Sequence, residues 1–302
     1  MHQIDFKRGN VRETVILWDS VNEPAAHIAT RKWAKEENQR FGGRYLSDAE
    51  TGRYPASDNH ADWLGAPSLK ELTNRLTNGW SDGVDRLMKL AVAELEMTSI
   101  RRRRVRGDQG DEIDMQAVWR GDLSRAWTRT RRQQRTGGTR SVTLICDVAG
   151  NCGMGADAMF WRGASVLRVA EALTEAGYNV GIYAGAATKH IDATGKCNAC
   201  QLVEIKATDA PLDLSSLAAL TCMPGYFRTS LFAGIVAAAD HFGEEADYSL
   251  GRMDEDGLKR GAKKLGMDNV FIQPAVNSQQ AAKEWIDQIV AAIQAPAAAE
   301  EL

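Results

Sequence analysis

Ser141-Val-Thr-Leu-Ile-Cys-Asp147 is a short β-branched and apolar run that ends on an aspartate and enters the turn Val148-Ala-Gly-Asn151. A long amphipathic stretch follows, with Val166, Val169, Ala170 and Leu173 on one helical face and Gly177 as its stop. A buried strand passing to a helix through an acidic turn is the winding unit of an α/β sheet. Ligands of such sheets bind where the strands end, which makes Asp147 and its turn the first place to look for a site.

The same rhythm continues downstream. Strands are predicted over 179–183, 200–207, 247–250 and 269–276, the last near an edge because it contains a proline. Helices are predicted over 158–176, 211–217, 229–241, 254–265 and 279–293. Upstream, Ser68-Leu-Lys-Glu71 is a capping box, and a second helix from Ser81 carries Val84, Leu87, Met88, Ala91 and Leu95 at helical spacing. Residues 1–65 are polar and punctuated by glycine and proline, with Trp18, Trp33 and Trp63 as docking points. The expected organisation is an irregular arm over 1–65, a helical hairpin with an arginine-rich accessory segment over 66–138, an α/β domain over 139–294 and a tail over 295–302.

With 302 residues, 44% hydrophobic, and a net charge of −3, the chain has a globular composition and no global attraction to nucleic acid. No apolar run approaches the roughly 20 residues of a membrane span, and the first residues lack a signal-peptide core. Five scattered cysteines suit free thiols in a reducing cytoplasm. Between Arg101 and Arg140 every basic residue is arginine, which suits planar contact with phosphate. Arg101, Arg102, Arg103, Arg104 and Arg106, with Trp119 and Trp127 as stacking candidates, form a possible nucleic-acid surface. Asp108, Asp111, Glu112, Asp114 and Asp122 lie in the same stretch and could instead pair with these arginines.

The order of elements resembles von Willebrand factor A-like domains, whose metal-ion-dependent adhesion site uses Asp-x-Ser-x-Ser, a threonine and a later aspartate. That resemblance implies an open sheet flanked by helices. Laid on that pattern, this chain has Asp147, Ala149 and Asn151, then Thr229, with Gly251-Arg252 where the aspartate is expected. Two ligand positions are lost, so the resemblance implies a degenerate metal site. The chain also resembles an uncharacterised family of tailed-bacteriophage proteins. The stretches are Gly110 to Gly121, Arg162-Gly-Ala-Ser165, Glu204-Ile-Lys-Ala207 with Pro211-Leu-Asp213, and Pro224 to Phe232. This second resemblance implies a von Willebrand A-like core with an N-terminal, mainly helical accessory region and action inside an infected host cell, and it brings no known activity.

Other chemistry is thinner. Cys197-Asn-Ala-Cys200 is half of a zinc site, without a second pair. Gly150-Asn-Cys-Gly-Met-Gly155 lies where a phosphate-cradling loop would, yet lacks the P-loop lysine. No Gly-x-Ser-x-Gly elbow is present, and the five histidines form no recognisable set. The sequence therefore predicts a non-enzymatic module that binds a phage or host protein through Asp147, Asn151, Arg228, Thr229 and Arg252. The alternative is RNA or DNA binding through the arginine patch. No cofactor is expected; magnesium at Asp147, Asn151 and Thr229, or zinc at Cys197 and Cys200, are the rival readings. A metal-dependent phosphate-handling enzyme at the same three residues is the third hypothesis.

Overall fold

The computed structural model describes residues 1–29, 60–92, 102–107, 109–110, 112–132, 141–151, 153–191, 195–242, 254–274 and 276–294. It divides into two compact units, residues 1–95 with 141–302, and residues 96–140. The expected strand at 247–250, the tail 295–302 and much of the N-terminal arm lie outside the described residues, as do Arg101, Cys152 and Arg252.

The larger unit is a mixed α/β structure around a six-stranded sheet in the order β1-β2-β8-β7-β6-β9. Its strands are β1 (His2–Arg8), β2 (Val11–Trp18), β6 (Ser141–Asp147), β7 (Asn179–Thr188), β8 (Cys197–Lys206) and β9 (Val270–Ile272). Strand β6 runs parallel to both neighbours, while β7 and β8 form the antiparallel pair expected of a hairpin.

Residues 1–18 depart from the irregular arm expected of them. They form a hairpin whose two-residue Gly9-Asn10 turn has Gly9 at φ 63°, and β2 pairs in parallel with β8. The physical reason is the run Val15-Ile-Leu-Trp18, in which Val15, Ile16 and Trp18 are buried. The Trp18 indole donates to Gln201 Oε1 at 3.2 Å, and the Gln201 amide donates to the Leu231 carbonyl at 2.6 Å. These bonds tie the N-terminal strand to the sheet and to the helices over it.

The helices of this unit are α1 (Glu23–Ala29), α2 (His60–Leu64), α3 (Leu69–Asn78) and α4 (Ser81–Leu87) before β6. Ser68 caps α3 as expected, accepting from the Glu71 amide at 3.1 Å. The second helix of that hairpin stops at Leu87, well short of Leu95. After β6 comes α6 (Ala156–Glu175), then α7 (Leu214–Thr221) behind its Asp213 cap. The helix expected over 229–241 is interrupted. Pro224–Tyr226 opens it as the single turn α8, Phe227–Leu231 is a π-helical turn, and Phe232–His241 continues as α9. Last come α10 (Glu255–Lys264) and α11 (Gln279–Gln294).

One core cluster joins Ile16, Leu144, Ile182 and Val203 of the sheet to Phe160, Val166, Leu217, Ile235 and Ile286 of the helices. Each such side chain contributes roughly 1.5–3 kcal/mol on burial. The opposite sheet face is covered more thinly. There Val15, Ile145, Ala187, Cys200 and Leu202 meet Leu258 and Ala262 of α10.

The smaller unit is a three-stranded sheet in the order β3-β5-β4. Its strands are β3 (Arg102–Gly107), β4 (Glu112–Ile113) and β5 (Trp127–Arg132). Between β4 and β5 lies the short helix α5 (Met115–Trp119), capped by the Asp114 carboxylate on the Gln116 and Ala117 amides and ended at Gly121 with φ 74°. A 3-10 turn, Leu123–Arg125, follows, and the Asp114 amide donates to the Ala126 carbonyl at 2.6 Å.

Candidate functional site

The strand-end site is built on Asp147, the last residue of β6. The carboxylate is 1% exposed and accepts from the Ala149 amide at 3.0 Å. Burial pushes its pKa up to about 6, against the pull of the Arg162 guanidinium and the Ala149 amide; Glu255 adds to the rise. Arg162 is itself fully buried, donating to the Ala149 carbonyl at 2.5 Å, the Val276 carbonyl at 3.1 Å and Asn277 Oδ1 at 3.0 Å. Asp147 and Arg162 thus fix the turn after β6 from inside.

Arg228 works in the same way on the next stretch of that loop. It is 1% exposed, and its guanidinium donates to the carbonyls of Asn151 and Met154 at 2.8 Å each and of Trp63 at 2.7 Å. Its charge lies 4.0 Å from the Trp63 ring centre. The structure therefore unites Asn151 with Arg228 but buries the side chains of Asp147 and Arg228, so neither lies on the surface for the partner contact expected of it. Asn151 remains exposed, its side-chain oxygen holding the Gly153 amide at 3.0 Å. Thr229 sits in the π-helical turn, and its hydroxyl donates to the Gly225 carbonyl at 2.7 Å.

The phosphate-loop reading of residues 150–155 meets a direct obstacle. The Ala156 amide, in the first turn of α6, donates to Asp62 Oδ1 at 2.9 Å. A carboxylate of the chain itself occupies the position where an anion would sit. Cys197 and Cys200 do not converge either. Three residues apart on one strand, they belong to the core clusters on opposite faces of the sheet. Burial pushes the Cys200 thiol up to about 12. Among the described residues no group of three or more His, Cys, Asp or Glu side chains is arranged to hold a metal ion.

Sequence reasoning overlooked Asp62 and Arg162. Arg162 did carry a signal, because it falls on the stripe formed by Val166, Val169 and Leu173. An arginine on an apolar face must find internal partners.

The arginine-rich segment forms a second, separate candidate. Arg102 and Arg103, expected only as a patch, stand in β3 directly opposite Arg132 and Arg131 of β5, and Val105 stands opposite Arg129. Arg104 and Arg106 face Thr130 and Thr128. Residues 96–140 hold twelve arginines, no lysine and six carboxylates, a net of +6. The whole chain is −3, so the remaining residues carry −9. Trp119 is 85% exposed on α5, whereas Trp127 is half-buried at the start of β5.

Fold and sites together define an α/β sheet protein whose strand-end loops are internally clamped and whose smaller unit carries a basic ribbon. The chain belongs to the family described as Domain of unknown function (DUF7192), which matches residues 10–296. No curated protein and no solved structure matches it. No helix among the described residues is long and apolar enough to cross a membrane.

Proposed function

We propose that this is a non-enzymatic nucleic-acid-binding protein whose contact surface is the β3/β5 ribbon. The observation that carries the reading is the opposed pairing of Arg102 with Arg132 and of Arg103 with Arg131. Like charges directly opposite each other weaken a strand pair; successive residues alternate between faces, so the two pairs lie on opposite faces, and a polyanion along either face removes the penalty at the pair it covers. Arginine without lysine suits bidentate phosphate contact. The expected protein-docking face has lost its main support, because Asp147 and Arg228 spend their polar atoms inside the larger unit.

A von Willebrand A-like core is the scaffold reading that goes with this function. It is supported by the order β8-β7-β6-β9, with β8 antiparallel to β7, and by the acidic turn at the end of β6. The resemblance to a tailed-phage family would put the activity in the cytoplasm of an infected host. Titration of labelled nucleic acid at rising salt tests the proposal. Affinity should fall steeply with salt, and a chain that retains no nucleic acid at low salt would overturn it.

A further inference from the structure

We infer that the ligand of the ribbon is a single-stranded nucleic acid, indifferent to its sugar, whose bases stack on an apolar platform formed by Trp119, Met115 and Leu123. The inference rests on the nucleic-acid reading and narrows it to one class of ligand. Among the described residues, four of the six exposed large hydrophobics fall between Ile113 and Leu123. Trp119 is 85% exposed, Leu123 64%, Met115 55% and Ile113 46%. Met115 and Trp119 are one turn apart and share a face of α5, whose other side buries Ala117. A concentration of exposed apolar surface on one short stretch, from the end of β4 through α5 to the 3-10 turn, marks an interaction site rather than core.

The chemistry of the neighbouring ribbon selects the occupant. A protein partner could cover the apolar strip, but nothing in that strip would call for two opposed arginine pairs and a net charge of +6 in the same unit. A duplex satisfies the arginines but keeps its bases stacked on one another, leaving no base face for an exposed indole. A single strand supplies phosphates and free base faces together. Stacking and phosphate contacts do not read the 2′-hydroxyl, so RNA and DNA strands should bind alike.

The test uses the full chain and fluorescence anisotropy with labelled oligo-dT and oligo-U of about 12 nucleotides, and a hairpin duplex of similar length. The wild type should bind both single strands with affinities agreeing within about threefold, and either of them about tenfold or more tightly than the duplex. Trp119→Ala removes a side chain that the fold leaves in solvent. It should weaken single-strand binding roughly 5- to 150-fold while leaving duplex affinity and the salt slope unchanged. Trp119→Phe should recover most of the loss. Single-strand affinity within about twofold of wild type in Trp119→Ala, equal losses on strand and duplex, or a more than tenfold preference between RNA and DNA would each overturn the platform. If the wild type binds none of the three probes, the ribbon proposal itself fails. If it binds them and Trp119 proves irrelevant, only the platform fails.

Discussion

Arg103 and Arg131 occupy directly opposed positions on the antiparallel strands β3 and β5, and Arg102 and Arg132 do the same at the next rung. Cross-strand neighbours of like charge repel at the distance where opposite charges or aromatic pairs would attract. The register thus sets like charges opposite each other, an arrangement that the proposed polyanion would relieve.

A trade-off between stability and binding follows. Arg131→Glu converts one repulsive pair into an attractive one and should stabilise the ribbon by roughly 0.2–1 kcal/mol. Affinity for nucleic acid should fall at least about tenfold in the same variant, through the lost phosphate contact and the added repulsion. Thermal melting beside anisotropy separates the two effects; a variant that is less stable and binds normally contradicts both.

The buried Asp147 should leave a mark on the pH dependence of stability. Its carboxyl titrates near 6 in the folded chain, above the ordinary 3.8, so the folded state holds the proton more tightly than the unfolded state. The contribution is fully present below about pH 4 and is lost as pH rises through about 6, on the order of 3 kcal/mol in all. Asp147→Asn stays neutral throughout. Urea midpoints measured from pH 4 to 8 should decline for the wild type relative to this variant, and parallel curves would rule the account out.

Helix α6 crosses α7 at Gly163, where an added Cβ would fall 2.6 Å from the Cys222 nitrogen and closer still to the Thr221 carbonyl. Both obstacles are backbone and cannot rotate away. Gly163→Ala should therefore destabilise the larger unit by roughly 1–3 kcal/mol, despite alanine's better helix propensity. A denaturation midpoint at or above that of wild type would mean the helices do not approach this closely.

Gln273 follows β9 and is fully buried, with neither amide atom hydrogen-bonded. An unsatisfied buried amide costs on the order of 1–3 kcal/mol. Gln273→Met, of similar length, should raise stability by roughly 1 kcal/mol or more. A loss of stability would point to a bound water or another polar partner at that amide.

Most of the larger unit was legible in the sequence, since β-branched runs and helical stripes are enforced by burial. Ser141 to Asp147, the α6 stripe, the Ser68 cap and the Gly177 stop all carry local signals that the fold obeys. The N-terminal hairpin is harder to read, because only its second strand has an apolar run and its turn is the single pair Gly9-Asn10. The end of β6 carries a local signal, but the burial of Asp147 and Arg228 beside it does not. Whether Asp147 and Arg228 face solvent depends on Arg162, Trp63 and Asp62, which arrive from distant parts of the chain. The arginine stretch was visible as charge, whereas its opposed pairing needed the register of β3 against β5.

The most direct measurement is the slope of log affinity against log salt for a labelled single strand, for the wild type and for Arg103→Glu/Arg131→Glu. The account predicts tight binding at about 50 mM salt, a steep negative slope, and a slope shallower by roughly one to two units in the double variant. Absence of wild-type binding at that salt, or an identical slope in both proteins, would contradict it.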